Sequence, residues 1–462
     1  MRILLINPPD TRPRDFKTRV GICPPLSLAY VAAVLESVGH TVTIYDALVE
    51  GPQSWHPVDS VPVDLTQTRV RWGAYDWEIL AQIYDTDPDI VGVTCPFPAR
   101  QWDALNILRT VRTISLAITT WVGGAHPTCH TRPFLASPAV DYVALGSGEE
   151  FLSRIGLAPL PPKYHLDDLP FPARHLLPMT KYWESSSPHS GFKRTPFTNM
   201  ITSRGCPNRC EFCVIGQIWP GPVRYRSPES VLAEIWQLVT DYGIREIQFE
   251  DDNFLSNRTR AETILIDLRD NFDLALASPS GLSVKTLDNA LLDLMVSAGY
   301  YSISLAVESG SPQTLKSMKK PVNLAKVPGL VRHAQSLGLR VKAFFILGYP
   351  GETKDDVERT IQYAESLELD WAIFFPASAI PGSRMAVRCL QEGWLTDTDL
   401  TRLFYMPNIK TEEFDPEWVV AKTAEANERV NSKSKWRGQL ESVVDHYPDL
   451  DWASQALTNL QG

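Results

Sequence analysis

The 462-residue sequence is short of cysteine, of basic runs and of long apolar segments, and each shortage excludes something. Seven cysteines in a chain this long make no disulfide framework. They suit a reducing cytoplasm, where thiolates stay free for metal. No apolar stretch approaches the about 20 residues of a membrane-spanning helix. The opening run Met1-Arg-Ile-Leu-Leu-Ile-Asn-Pro-Pro9 is also too short for a signal peptide and reads as a first strand. Net charge is −10 without a basic cluster in the sequence, so general nucleic-acid binding is not expected. No G-x-G-x-x-G follows the first strand, which argues against a dinucleotide site. The one dense group of cysteines lacks a second Cys or His pair, which argues against closed zinc coordination.

That dense group lies in Ser203-Arg-Gly-Cys206-Pro-Asn-Arg-Cys210-Glu-Phe-Cys213, a C-x3-C-x2-C spacing in a short loop. Three thiolates this close suit a single soft metal centre. A [4Fe-4S] cube held by three cysteines keeps one iron open for a substrate or cosubstrate. Cys23, Cys95, Cys129 and Cys389 have no mutual spacing that suggests a second cluster and read as structural.

The length predicts about three domains, and an apolar fraction of 44% provides for a large core. Residues 1–160 alternate strand and helix. Strands are expected at Arg2–Asn7, Thr41–Tyr45, Ile90–Thr94, Ile118–Val122 and Val140–Ala144, with helices over 25–38, 76–84 and 101–114. Residues 48–75 lack periodicity and read as an excursion. Such alternation means a doubly wound, Rossmann-like parallel sheet, whose ligands bind beyond the carboxyl ends of the strands. Small or turn-forming residues occupy those ends: Pro8 and Pro9, Thr94 and Cys95, Gly123, Gly124 and His126, then Gly146, Gly148 and Glu149. As a set they favour a large planar ligand.

Residues 161–195 contain a proline-dense stretch and read as a linker. From 196 to 385 the chain alternates again, now six times. Strands are expected at Met200–Thr202, Glu246–Phe249, Leu274–Ala277, Ile303–Val307, Val341–Leu347 and Trp371–Phe375. Six β/α units form a partial (β/α)6 TIM-type barrel, with the cysteine loop at the carboxyl end of its first strand, where such barrels place chemistry. Residues 386–462 read as a small helical cap over the barrel mouth, with Tyr405 and Trp418 as possible pocket residues.

The C-x3-C-x2-C loop after the first strand of a (β/α)6 barrel resembles that of the radical SAM enzymes. The segments 25–35, 123–128 and 140–150 resemble the cobalamin-binding domain attached to the class B branch. The resemblance implies a [4Fe-4S] cluster on Cys206, Cys210 and Cys213, with S-adenosylmethionine (SAM) on the open iron. It implies SAM contacts from Phe212, Glu250, Asp251, Ser280, Glu308, Ser309, Ile346, Gly348 and Ser378. Glu250-Asp-Asp departs from the family's usual Gly-Gly-Glu, and Gly348-Tyr-Pro-Gly-Glu352 resembles the family's adenine-binding motif, with a helix N-terminal carboxylate as the alternative for Glu352.

Cobalamin contacts are implied at Pro8, Pro9, Thr94, Cys95, Gly123, Gly124, His126, Gly146, Gly148 and Glu149. No histidine here lies in a D-x-H-x-x-G pattern, so the cofactor is expected base-off without a histidine ligand; His126 as cobalt ligand is the alternative. The activity implied is methyl transfer to an unactivated carbon of a small molecule, through methylcobalamin and a 5′-deoxyadenosyl radical. The rival is a cyclisation, ring contraction or other redox rearrangement with the same cofactors. An external electron donor such as flavodoxin or ferredoxin is implied as partner.

Overall fold

Runs of β-rich apolar residues alternating with capped amphipathic helices yield two all-parallel sheets. The structure, a computed structural model, describes residues 1–14, 20–58, 69–161, 163–185, 189, 191–396, 400–403 and 406–431. Two compact units result. One comprises Met1–Ser190, Val214–Arg226 and Asp399–Phe404; the other comprises Gly191–Cys213, Ser227–Thr398 and Tyr405–Gly462.

The strands of the first unit are β1 (Arg2–Asn7), β2 (Asp10–Pro13), β3 (Thr41–Asp46), β4 (His56–Pro57), β5 (Arg69–Trp72), β6 (Ile90–Thr94), β7 (Thr119–Gly123) and β8 (Tyr142–Ala144). Five of them form a parallel sheet in the order β3-β1-β6-β7-β8. The strand order reverses between β1 and β6, the switch point where open α/β sheets bind ligands. The register aligns Asn7 with Asp46, and Thr94 with Gly123, so the carboxyl ends form one edge. Beneath that edge, Leu4, Ile6, Val91, Val93, Leu108 and Val122 are buried in one core.

The stretch 48–75 is more ordered than its sequence suggests. It includes a helical turn, Ala47–Glu50, and strands β4 and β5, which join β2 in an antiparallel sheet; residues 59–68 lie outside the described residues. Nor does the first unit end at residue 160. Ala173 N donates to Ala29 O at 3.0 Å, and the buried Tyr182 hydroxyl donates to Asp46 at 2.8 Å. Residues read as linker are packed onto the first sheet.

The second unit holds six parallel strands in chain order: Phe197–Met200, Glu246–Phe249, Ala275–Leu282, Tyr300–Glu308, Arg340–Leu347 and Trp371–Pro376. Each of four intervening helices opens on a capping side chain, Ser227, Asn257, Asp288 or Thr353. The first strand ends at Met200, earlier than expected. The third runs on through Ser278-Pro-Ser-Gly281, which the sequence suggests as a turn. A register irregularity between Ser278 and Leu282 accommodates Pro279 and Gly281, the latter at φ +101°.

The C-terminal helix Pro416–Val430 flanks the sixth strand, and residues 432–462 of the expected cap lie outside the described residues. Asn427 and Asn431 hydrogen-bond the strand backbone at Phe374 and Ala372. A parallel strand at a sheet edge exposes unpaired backbone groups, and these two amides take the place of a seventh strand.

Candidate active site

The loop that follows the first barrel strand is tied down by acidic residues from the second. Asp251 is buried and accepts from Thr202 N at 3.1 Å, from Thr202 Oγ1 at 2.8 Å and from Ser203 Oγ. Asp252 accepts from Gly205 N at 2.8 Å. Burial pushes the Asp252 carboxyl up to about 6, opposed by the Gly205 bond and reinforced by Asp251. Asp251 thus anchors the base of the cysteine loop. Asp252, which sequence reading passed over, shares the task.

Cys206 and Cys213 are partly exposed and Cys210 is buried; none of the seven cysteines is in a disulfide. Burial raises the Cys210 thiol, and Lys320 opposes that rise. Lys320 Nζ donates to Glu308 Oε1 at 2.8 Å, with both side chains nearly buried. Burial disfavours the ammonium, but Glu308 and the negative charge of Cys210 and Cys206 as thiolates outweigh it and raise the pKa. Lys320 went unnoticed because a lysine before a proline carries no spacing signal. Glu308 itself sits at φ +72°, a conformation few non-glycine residues adopt.

Three thiols on one loop, beside a buried ammonium, fit a cluster of negative charge. Among the described residues no three His, Cys, Asp or Glu side chains converge as they would on a single ion. A cube takes its three thiolates on different irons, and this loop offers three. The donor set fits.

Glu250 and Ser280 meet, the Ser280 hydroxyl donating to Glu250 Oε2. Phe212 and Ile346 pack against one apolar cluster with Tyr349 and Ala377. Ser378 is partly buried just past the sixth strand. Residues of all six strand ends therefore gather at the barrel's carboxyl edge. Two others do structural work. Ser309 is fully buried, its hydroxyl 3.0 Å from that of Thr360. Gly348, at φ +77°, lies against Val419, where a Cβ would come within 2.7 Å of a methyl group. Trp418 stacks on Phe414 at 5.6 Å and lies under Lys354; Tyr405 lies outside the described residues.

In the first unit Gly123, Gly124 and Gly146 remain partly exposed at the strand ends. Gly146, at φ +70°, leaves a cradle in which a Cβ would meet only the Ile218 carbonyl, at 3.5 Å. Such an edge fits a broad corrin. Its neighbours brace it. Arg100 Nη1 donates to the carbonyls of Pro8 and Pro9 at 2.7 and 3.0 Å, and Thr94 is buried opposite Gly123.

Four of the expected contacts have partners within the first unit. Cys95 is fully buried, its thiol directed to the Phe97 carbonyl. His126 is buried, with Nε2 2.9 Å from Gln101 Oε1; burial and His130 push its pKa down to about 4. Gly148 has Val31 where a Cβ would stand, at 2.5 Å, and Glu149 is buried and accepts from Ser147 Oγ.

A six-stranded parallel barrel edge with three cysteines on one loop, and a switch-point sheet with a glycine-lined edge, define a cobalamin-associated iron–sulfur enzyme. Residues 200–364 match the Radical SAM superfamily and residues 16–155 the B12 binding domain. The chain is 31% identical to cytidylyl-2-hydroxyethylphosphonate methyltransferase of Streptomyces wedmorensis, over 88% of this chain and 85% of that protein. It is 25% identical to the anaerobic magnesium-protoporphyrin IX monomethyl ester cyclase of Rubrivivax gelatinosus, over 81% of this chain and 68% of that one. The fold is shared with the radical S-adenosylmethionine methyltransferase TsrM of Kitasatospora setae, at TM-score 0.63 and 18% identity, over 92% of this chain and 81% of that one. The chain belongs to the cobalamin-binding radical SAM methyltransferases. Its cofactors are a [4Fe-4S] cluster, SAM and cobalamin.

Proposed function

We propose that the protein transfers a methyl group to an unactivated carbon of a small molecule, with Cys206, Cys210 and Cys213 holding the cluster. The likeness to a methyltransferase over 88% of this chain carries this reading, and the three-cysteine loop at the barrel's carboxyl edge supports it. When bound, cobalamin supplies a transferable methyl group, and SAM on the cluster supplies a radical that removes a substrate hydrogen atom. The chain's own part is placement. Phe212 and Ile346 give an apolar wall for an adenine ring. Glu250, with Ser280 against it, and Glu308, with Lys320 against it, give polar groups for the rest of SAM.

Gly123, Gly124 and Gly146 receive the corrin without a histidine from this sheet edge, since His126 is engaged with Gln101. The division of labour we infer is cobalamin on the first unit and SAM on the second. Cysteines outside any disulfide support a reducing, cytoplasmic setting. No helix among the described residues is long and apolar enough to cross a membrane. Reduction of the cluster calls for an external one-electron donor.

The likeness to a cyclase supports a second reading, redox rearrangement without net methylation. Anaerobic turnover of candidate substrates with methyl-deuterated SAM separates the two. Labelled product is expected, together with 5′-deoxyadenosine, and both are lost in Cys206→Ala, Cys210→Ala and Cys213→Ala. Unlabelled product would replace the methyltransferase reading with the rearrangement.

A further inference from the structure

Four arginines, Arg12, Arg69, Arg71 and Arg100, gather where β2 and β5 meet the turn that follows β6. β2 continues the chain from the carboxyl end of β1, so this is the switch-point side of the first sheet. Three of the four are matched by carboxylates. Arg12 is 2.5 Å from Asp10, which Arg100 also approaches at 3.3 Å. Arg71 is buried, 2.6 Å from Asp76 and 3.8 Å from Asp103. Three aspartates thus answer three arginines, and one positive charge is left over.

That charge is on Arg69. Its guanidinium carbon lies 5.8 Å from the centre of the Trp102 ring, which Arg71 approaches at 5.9 Å. Arg69 Nη1 is buried without a hydrogen-bond partner, and no carboxylate among the described residues pairs with this side chain. A guanidinium N–H withdrawn from water with no acceptor is costly, and a missing ligand accounts for it. The residue is partly exposed, so a ligand can reach it. The platform is fixed: Thr11 N and Oγ1 donate to Asp103 at 3.0 and 2.5 Å, tying β2 to the helical turn that carries Trp102. A guanidinium held flat on an indole presents its fork to two oxygens of one oxyanion.

We propose that Arg69 on Trp102 is a subsite for a phosphate-type oxyanion, filled by the phosphodiester of cobalamin's nucleotide loop. The corrin's side-chain amides are neutral, whereas that phosphodiester carries one negative charge, the charge the arginine cluster lacks. The proposal rests on the reading that the first unit holds cobalamin. A phosphorylated substrate is the other source of the same chemistry.

Equilibrium binding of hydroxocobalamin to the cobalamin-free full chain tests this, beside cobinamide, which lacks the nucleotide loop and its phosphodiester. Arg69→Gln should bind hydroxocobalamin about tenfold more weakly than the wild type and cobinamide equally well. Arg69→Lys, which keeps the charge but not the fork, should fall between. Arg69 makes no hydrogen bond with its side chain, so both variants should melt like the wild type in chloride. In a second arm, inorganic phosphate replaces chloride at equal ionic strength. It should raise the melting temperature of the wild type by at least about 1 °C more than that of Arg69→Gln; acetate should not. A phosphate effect lost in Arg69→Gln with hydroxocobalamin binding unchanged would keep the oxyanion subsite and move its source to the substrate, overturning the cofactor assignment. Equal losses for hydroxocobalamin and cobinamide, or no change in either arm, would overturn the subsite itself. A wild type that binds neither corrinoid would instead sink the cobalamin reading, and the phosphate arm would still decide Arg69.

Discussion

Asn431 pairs with Ala372 as a strand residue would, its Nδ2 donating to the Ala372 carbonyl at 2.7 Å and its Oδ1 accepting from the Ala372 N–H at 2.9 Å. One helical turn earlier, Asn427 makes the same pair of bonds to Phe374, both at 3.2 Å. The barrel's last strand is closed by side chains.

Asn431→Ala leaves two buried backbone groups unpaired. It should destabilise the second unit by about 2–4 kcal/mol, read as a lower urea midpoint with unchanged slope. A loss under about 0.5 kcal/mol would mean that water or a neighbour replaces the amide.

Asp251→Ala removes the acceptor that Thr202 and Ser203 share at the base of the cysteine loop. We expect about 2–4 kcal/mol of lost stability and reduced iron and sulfide per chain after reconstitution. Asp251→Asn keeps one acceptor oxygen and should fall between. Ser280→Ala, which leaves these bonds intact, should load iron like the wild type. Full loading of Asp251→Ala would show that the loop holds its shape unaided.

Glu352 contributes a pH dependence of definite sign. Burial pushes its carboxyl up to about 8 from an ordinary 4.5, against the bond from Tyr349 N. Between those values the folded chain keeps a proton that the unfolded chain releases. Its contribution to stability therefore falls as pH rises from about 4.5 to about 8, at a slope approaching about 1.4 kcal/mol per pH unit. Above that the contribution is flat. Glu352→Gln should abolish this component and be the more stable protein at pH about 8. Parallel melting curves for the two proteins across that window would refute it.

His126 is held neutral in the core by burial and by His130, with its Nε2 on Gln101. His126→Gln should cost about 1–2 kcal/mol yet leave the paramagnetic spectrum of bound cob(II)alamin unchanged. Neither protein should show nitrogen splitting from an axial imidazole. Splitting in the wild type that vanishes in the variant would make His126 a cobalt ligand.

Elements whose local signals agree were legible to the residue. The helix Gln101–Ile114 and the strands Ile90–Thr94 and Glu246–Phe249 occupy the positions that periodicity indicates. Strands β2 and β5 were not legible, because Asp10, Arg12 and Arg71 read as loop. Each of these charges is paired: Arg12 with Asp10 at 2.5 Å, and Arg71 with Asp76 at 2.6 Å. Polar sequence hides a strand when its charges are matched in space. The helix Pro416–Val430 was visible as a helix, but nothing in its pattern tells a surface asparagine from one that completes a sheet edge.

By itself the sequence determined the cysteine spacing, the two parallel α/β modules and the strand ends at which ligands would gather. These follow from local periodicity, capping residues and the short reach between neighbouring thiols. Only the tertiary structure decided which strand-end residues stay available. Gly146 keeps an open cradle, whereas Cys95, His126, Asp251 and Ser309 are taken up by Phe97, Gln101, Thr202 and Thr360. The reason is that a polar side chain's partner is set by what folding brings within about 3 Å of it, and those partners lie as far as 51 residues away in the chain.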